Sequence, residues 1–158
     1  MTATVEAGMT LAGLQKQLAL KRQWLPVDPS NPDRLTVGAL LETNASGPRR
    51  FGYGTVRDYV IGLKVVLADG RLIHSGGKVV KNVAGYDLMK LFIGSRGSLG
   101  IIVEVTFKVL PVPETEKFVE TKCASLDDME KLIDAVLSSE LTPSVLDLHN
   151  ISPSAPHL

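Results

Sequence analysis

Two short stretches of this sequence combine small residues with hydroxyl and amide groups. The first runs Thr36-Val-Gly-Ala-Leu-Leu-Glu-Thr-Asn-Ala-Ser-Gly47 and continues through Pro48-Arg-Arg-Phe-Gly-Tyr-Gly54. Gly38, Ala39, Ala45 and Gly47 let a backbone approach a ligand closely, while Thr36, Thr43, Asn44 and Ser46 supply polar groups. Read as a loop, such a stretch can hold a pyrophosphate through N–H groups and neutral donors, without a lysine clamp. The same composition suits a tight surface turn with no ligand, and composition alone does not choose between them.

The second stretch is Gly94-Ser-Arg-Gly-Ser-Leu-Gly100. A Rossmann fingerprint needs glycine where Arg96 stands, and it follows a strand and opens a helix, the reverse of the order expected here. No Gly-Lys-Ser/Thr closes the stretch, so it is not a P-loop. Small residues before a strand can still lay a flat ring along the backbone.

The other reactive side chains make no constellation. His74, His149 and His157 lack metal-ligand spacing, so no metal site is expected, and His74 reads as a structural or surface residue. Cys123 has no neighbouring His or basic cluster and reads as a core thiol. Asp127 and Asp128 suit a helix N-terminus. Arg49 and Arg50 could face a phosphate, although solvated arginines are commoner. No Ser-His-Asp order is visible, and no catalytic residue is named.

The elements that must position these loops follow from periodicity. Residues 2–7 read as a strand ended by Gly8; Thr10 caps a helix carrying Leu11, Leu14 and Leu18 and running to about Arg22. Pro26 to Pro32 holds three prolines and must be a loop. Residues 59–68 and 71–75 flank Asp69-Gly70, the signature of a type I′ hairpin. A short helix is expected with Asp87 as its cap and Leu88, Leu91 and Phe92 on its apolar side. From Ile101 to Pro111, Ile101, Val103, Val105, Phe107 and Val109 should share the buried face of a strand. Pro111-Val-Pro-Glu marks a boundary, giving domains 1–113 and 114–158. The second should be a β-α-β unit: a strand over 117–124, a helix capped by Ser125 with Met129, Leu132, Ile133, Val136 and Leu137 on one stripe, and a strand from Val145 to Leu148.

The bulk numbers exclude several classes. Lys+Arg and Asp+Glu are equal at 17 in 158 residues, so no basic surface is available for a general nucleic-acid binder. One cysteine rules out an internal disulfide framework and fits a reducing compartment. No apolar run approaches a membrane span, and Met1 to Gly8 shows no signal-peptide pattern, so a cytoplasmic location is expected.

Taken together the motifs carry more than each alone. Leu25-Pro-Val-Asp-Pro29, Leu35-Thr-Val-Gly-Ala39, Asn44-Ala-Ser-Gly-Pro-Arg-Arg50, Tyr53-Gly-Thr-Val-Arg-Asp58, Lys81-Asn-Val-Ala-Gly-Tyr-Asp-Leu88 and Gly94 to Ile102 occur in one order. The series resembles the PCMH-type FAD-binding domain of the vanillyl-alcohol-oxidase family, shared by glycolate oxidase and D-lactate dehydrogenase. Through Val80 to Lys90 it most resembles the FAD-binding subunit of glycolate oxidase. The resemblance implies an α+β fold. It covers about residues 4–115 and is followed by the start of a ferredoxin-like cap. It implies FAD as cofactor and two-electron oxidation of a 2-hydroxy acid, chemistry that no protein side chain can carry.

The resemblance places cofactor contacts at Thr36, Gly38, Thr43, Asn44, Ala45, Ser46 and Gly47, and at Gly100, Ile101 and Ile102, where strand backbone meets the cofactor. It further implies partner subunits of a glycolate-oxidase-like complex, with peripheral attachment to the inner membrane through one of them. Ala39 stands where the family has a second glycine, and Arg96 where relatives carry Glu. The family's first subdomain, with its own pyrophosphate loop, would precede residue 1. The chain alone is therefore expected to hold flavin weakly and to self-associate through an open sheet edge. The alternatives are a non-catalytic module docking a partner chain, and a cell-wall enolpyruvyl reductase of similar fold, which the Lys81–Leu88 motif disfavours.

Overall fold

The computed structural model describes residues 1–76 and 89–148. The Lys81–Leu88 motif, the Asp87 cap, His149 and His157 lie outside the described residues. Strand β1 (Thr2–Glu6) leads to helix α1 (Leu11–Ala19), where the Thr10 side chain accepts the Gly13 N–H, as a Ser/Thr N-cap should. Leu11, Leu14 and Leu18 are its buried residues. The helix stops three residues short of Arg22, whose φ of 53° closes the terminal turn in the left-handed region.

After the two-residue strand β2 (Gln23–Trp24) and the proline loop, residues expected to be a loop wind into helix α2 (Val37–Thr43). Val37, Leu40 and Leu41 fall at i, i+3 and i+4 and are fully buried, so burial of one face overrides the glycine and small residues between them. A short helix α3 (Arg50–Tyr53) and a 3₁₀ turn (Val56–Asp58) lead to β3 (Val60–Val66) and β4 (Leu72–Gly76). Helix α4 (Met89–Phe92), β5 (Ile101–Lys108), β6 (Leu110–Pro111) and helix α5 (Leu126–Leu137) complete the order. Strands β1, β5, β3 and β4 form one antiparallel sheet in that order, and β2 pairs with β6. Phe107, Val105, Leu63 and Val65 of the sheet join the leucines of α1 and α2 in one core.

The hairpin is where it was expected, but its turn is different. The Gly70 N–H donates to Leu67 O and the Leu67 N–H to Arg71 O, with positive φ at Gly70 and not at Asp69. This is a three-residue loop with a glycine bulge, and it needs only one left-handed residue. The Arg71 backbone N–H, and then its guanidinium, hold the Asp69 carboxyl below its ordinary value.

Strand β5 does not keep one apolar face. Ile102, Val105 and Phe107 are buried, while Ile101 is 63% and Val103 36% exposed. Between β3 and β5, Lys64 faces Glu104 but its neighbour Val65 faces Ile102, so Val103 is an extra residue. Such a bulge resets the alternation of side chains. Beyond it the opposite face carries the Lys64–Glu104 ion pair at 3.0 Å and a Thr4–Thr106 hydroxyl bond at 2.9 Å. In α4, Met89 and Phe92 are buried and Leu91 is exposed, so Leu91 is not on the core side.

Past Pro113, α5 is the one element of the expected β-α-β unit that forms among the described residues. The Ser125 hydroxyl accepts the Asp128 N–H and donates to the Asp128 carboxylate, as that cap requires. Residues 117–124 and Val145–Leu148 form no strand; among the described residues neither has a ladder partner, without which a strand is not stable. Cys123 is accordingly exposed and not a core thiol. Leu126 and Leu137 on α5 are exposed too. This segment touches the rest of the chain through Glu116, described below, and through Ser144, whose carbonyl accepts the Gly52 N–H at 3.1 Å.

Candidate functional site

The two stretches singled out by composition meet in space. The Gly94 N–H donates to Leu41 O at 2.9 Å and the Arg96 N–H to Glu42 O at 3.0 Å, so the second loop satisfies carbonyls at the C-terminal end of α2. Asn44 ends α2 in the left-handed conformation (φ 48°, ψ 42°) beside that junction, and a Cβ on Gly94 would lie 3.9 Å from its own. Gly100 carries the loop over β3. A Cβ there would lie 2.7 Å from Val65 Cγ1 and 2.8 Å from Val66 O, so only glycine permits this approach. Ile101 follows as an exposed side chain on backbone paired with Val66, and Ile102 turns into the core.

The candidate residues divide by what their polar groups already do. The Thr36 hydroxyl accepts the Ala39 N–H, and the Thr43 hydroxyl donates to Ala39 O at 2.6 Å. The first donors of α2 are taken as well, Val37 N–H by Met9 O and Gly38 N–H by Ala7 O, both at 2.8 Å. Gly38 packs against Ala7, its Cβ position 3.2 Å from the alanine methyl. Thr36, Gly38 and Thr43 thus shape and seat the helix. Asn44, Ser46 and Gly47 differ. The Asn44 carboxamide oxygen is buried without a hydrogen-bond partner, and the Ser46 and Gly47 N–H groups find no acceptor among the described residues. The Ala45 N–H is taken by Leu40 O.

One cluster was not visible in the sequence. Asp28, in the proline loop, accepts the Arg49 N–H with both carboxylate oxygens, each at 3.1 Å. The Arg49 guanidinium lies 4.6 Å above the Trp24 ring and pairs with Glu116 at 3.2 Å. Trp24 meets Tyr53 edge-on with centroids 5.4 Å apart and donates its indole N–H to Pro111 O. Arg49 therefore faces protein groups, where a phosphate or open solvent had been the alternatives. Its only sequence signal was a lone tryptophan and an aspartate between prolines. Among the described residues no group of three or more His, Cys, Asp or Glu could hold a metal, and no helix is long and apolar enough to cross a membrane.

Residues 1–76 match the family described as "FAD binding domain". That stretch belongs to it. The cofactor such a domain serves is FAD. The chain is 40% identical to the glycolate oxidase subunit GlcD of Bacillus subtilis (strain 168) over 147 residues, 93% of this chain and 31% of that protein. It is 33% identical to the glycolate oxidase subunit GlcE of Escherichia coli (strain K12) over 135 residues, 85% of this chain and 39% of that one. Among solved structures, an alkyldihydroxyacetonephosphate synthase superposes with a TM-score of 0.63 at 32% identity, covering 73% of this chain and 20% of the other. The chain thus spans roughly a third of the length of the curated relatives it matches.

The site's chemistry fits the cofactor. FAD carries hydroxyl donors on its sugar and ribityl chains and acceptor oxygens on its pyrophosphate. The orphaned Asn44 oxygen suits a donor, and the Ser46 and Gly47 N–H groups suit acceptors.

Proposed function

We propose that this chain is the FAD-binding part of a flavin-dependent oxidoreductase acting on a 2-hydroxy acid such as glycolate or D-lactate, within a glycolate-oxidase-like complex. The observation that carries the reading is the junction of Asn44–Gly47 with Gly94–Ile102, where a buried acceptor and two N–H donors lack partners among the described residues. Asn44, Ser46 and Gly47 would bond the cofactor, while Ala45, Gly100, Ile101 and Ile102 offer backbone and small surface along it. Thr36, Gly38 and Thr43 serve by fixing α2. Bound FAD supplies the two-electron acceptor that side chains lack. The chain's own part is to orient it and to keep water from the polar groups that hold it.

Residues 1–113 form the larger part of the flavin domain's second subdomain in this reading, and 114–158 begin a cap. The exposed apolar side of α5 favours a partner surface there, in the remainder of the cap or another subunit. A cytoplasmic site, reached at the membrane only through a partner, suits the free Cys123. The test is to titrate FAD into the full-length apoprotein, following flavin absorbance and fluorescence, and then to add glycolate and D-lactate anaerobically. Saturable binding followed by bleaching of the flavin band supports the proposal. Absence of flavin binding defeats it, and binding without bleaching by any 2-hydroxy acid removes the substrate class.

A further inference from the structure

We infer that Asp28 is a positioning residue for the cofactor, holding the Ser46–Arg49 backbone in place from the side of the proline loop; this rests on the FAD reading above. Asp28 grips the segment twice. Its carboxylate accepts the Arg49 N–H with both oxygens at 3.1 Å, and its main chain is packed against Gly47. A Cβ on Gly47 would stand 2.6 Å from Asp28 Oδ1 and closer still to the Asp28 carbonyl oxygen, so glycine is needed there for contact with protein. The grip has a rigid base. Pro26, Val27 and Pro29 on either side of Asp28 are buried, and Pro29 biases Asp28 to extended geometry. The far end is fixed as well, since Arg49 is sandwiched between Trp24 and Glu116.

The Ser46 and Gly47 N–H groups therefore lie between two fixed points, the Ala45 N–H held by Leu40 O and the Arg49 N–H held by Asp28. Donors fixed before a ligand arrives lose no conformational freedom when it binds. The charge of Asp28 does not serve the cofactor directly, because a carboxylate beside a pyrophosphate repels it; it serves Arg49, whose Nε lies 4.0 Å from Asp28 Oδ2. Its contribution to cofactor binding is geometric.

That distinction sets the experiment on the full-length protein. Asp28→Asn keeps the shape and one oxygen for the Arg49 N–H, whereas Asp28→Ala removes both. Two readouts are taken: the FAD dissociation constant, and amide hydrogen exchange of residues 45–49 in the apoprotein. Asp28→Ala should weaken FAD by about tenfold or more and speed exchange at Ser46 and Gly47 by a similar factor. Asp28→Asn should stay within about threefold of the parent on both, or bind FAD more tightly. Gly47→Ala keeps Asp28 but forces the contact apart, so it should resemble Asp28→Ala and decides the matter if that variant does not fold. Parent-like exchange and affinity in Asp28→Ala overturn the inference, as does an Asp28→Asn variant as weak as Asp28→Ala. If the parent protein binds no FAD, the functional proposal fails, while the exchange readout still judges whether Asp28 holds the loop.

Discussion

Replacing Asn44 with glycine should make the apoprotein more stable and a poorer flavin binder. Asn44 sits at φ 48° and ψ 42°, and its carboxamide oxygen is buried with no donor. An unsatisfied buried acceptor costs about 1–3 kcal/mol. A non-glycine residue in the left-handed region costs roughly a further 1 kcal/mol, less for Asn than for most. Against these gains, glycine loosens the unfolded chain by about 0.4–1 kcal/mol. The net is a stabilisation of about 1–3 kcal/mol, which for a chain of this size raises the melting temperature by roughly 2–12 °C. If, as proposed, the same oxygen accepts a cofactor hydroxyl in the holoprotein, a bond worth about 0.5–1.5 kcal/mol is lost and FAD affinity should fall by about two- to tenfold. Thermal melts of the apoprotein followed by flavin fluorescence titration read both effects. A variant that melts lower and binds FAD as the parent does would refute the reasoning, since the oxygen would then neither be strained in the empty site nor serve the cofactor.

Other outcomes follow from the same geometry. Ile101→Val should leave both stability and FAD affinity within experimental error, because the side chain is 63% exposed, whereas Ile101→Pro should lower both by disturbing backbone paired with Val66; melts and titrations check the pair. Gly47→Val should weaken FAD and also lower the melting temperature, because the added side chain meets the Asp28 backbone. Burial, and next the charge of Asp58, push the Tyr59 phenol above its ordinary 10.0, so folding favours the neutral form. The stability this gives is complete below the unfolded value and is lost as pH climbs through the folded one. Tyr59→Phe should lose about 0.5–1.5 kcal/mol at neutral pH, from the bond to Tyr53 O, and show a flatter decline above pH 10 in denaturant titrations.

Local signals in the sequence were reliable where a few neighbouring residues decide the outcome. Thr10 and Ser125 cap the helices they precede, and Asp69-Gly70 does turn a hairpin. The failures share a dependence on partners. Val103 becomes a bulge only because of how β3 is aligned beside it, and residues 117–124 have strand-like composition but no strand to join. Helix α2 was legible in the spacing of Val37, Leu40 and Leu41, and was masked by the glycine and hydroxyl residues that gave the stretch its ligand-loop character. Both loops of the candidate site were found from composition, but their junction through Leu41 and Glu42 carbonyls joins residues far apart in the chain. The Asp28–Arg49–Trp24 cluster is of the same long-range kind.

The order of the sheet also governs when the protein can fold. Strand β1 is made well before β5, its sheet neighbour among the described residues, and the Thr4–Thr106 bond spans 102 residues. At about 5–20 residues per second of synthesis, Thr2–Glu6 waits about 5–20 seconds for its partner to leave the ribosome. Closure of so long a loop is entropically slow even then. Through that interval α1, held by the Leu35 and Pro32 carbonyls, and α2, held by the Ala7 and Met9 carbonyls, can already be assembled, while the junction of the two glycine-containing stretches, which needs residues 94–102, cannot. On the proposed reading of that junction, cofactor capture is deferred until β5 has arrived.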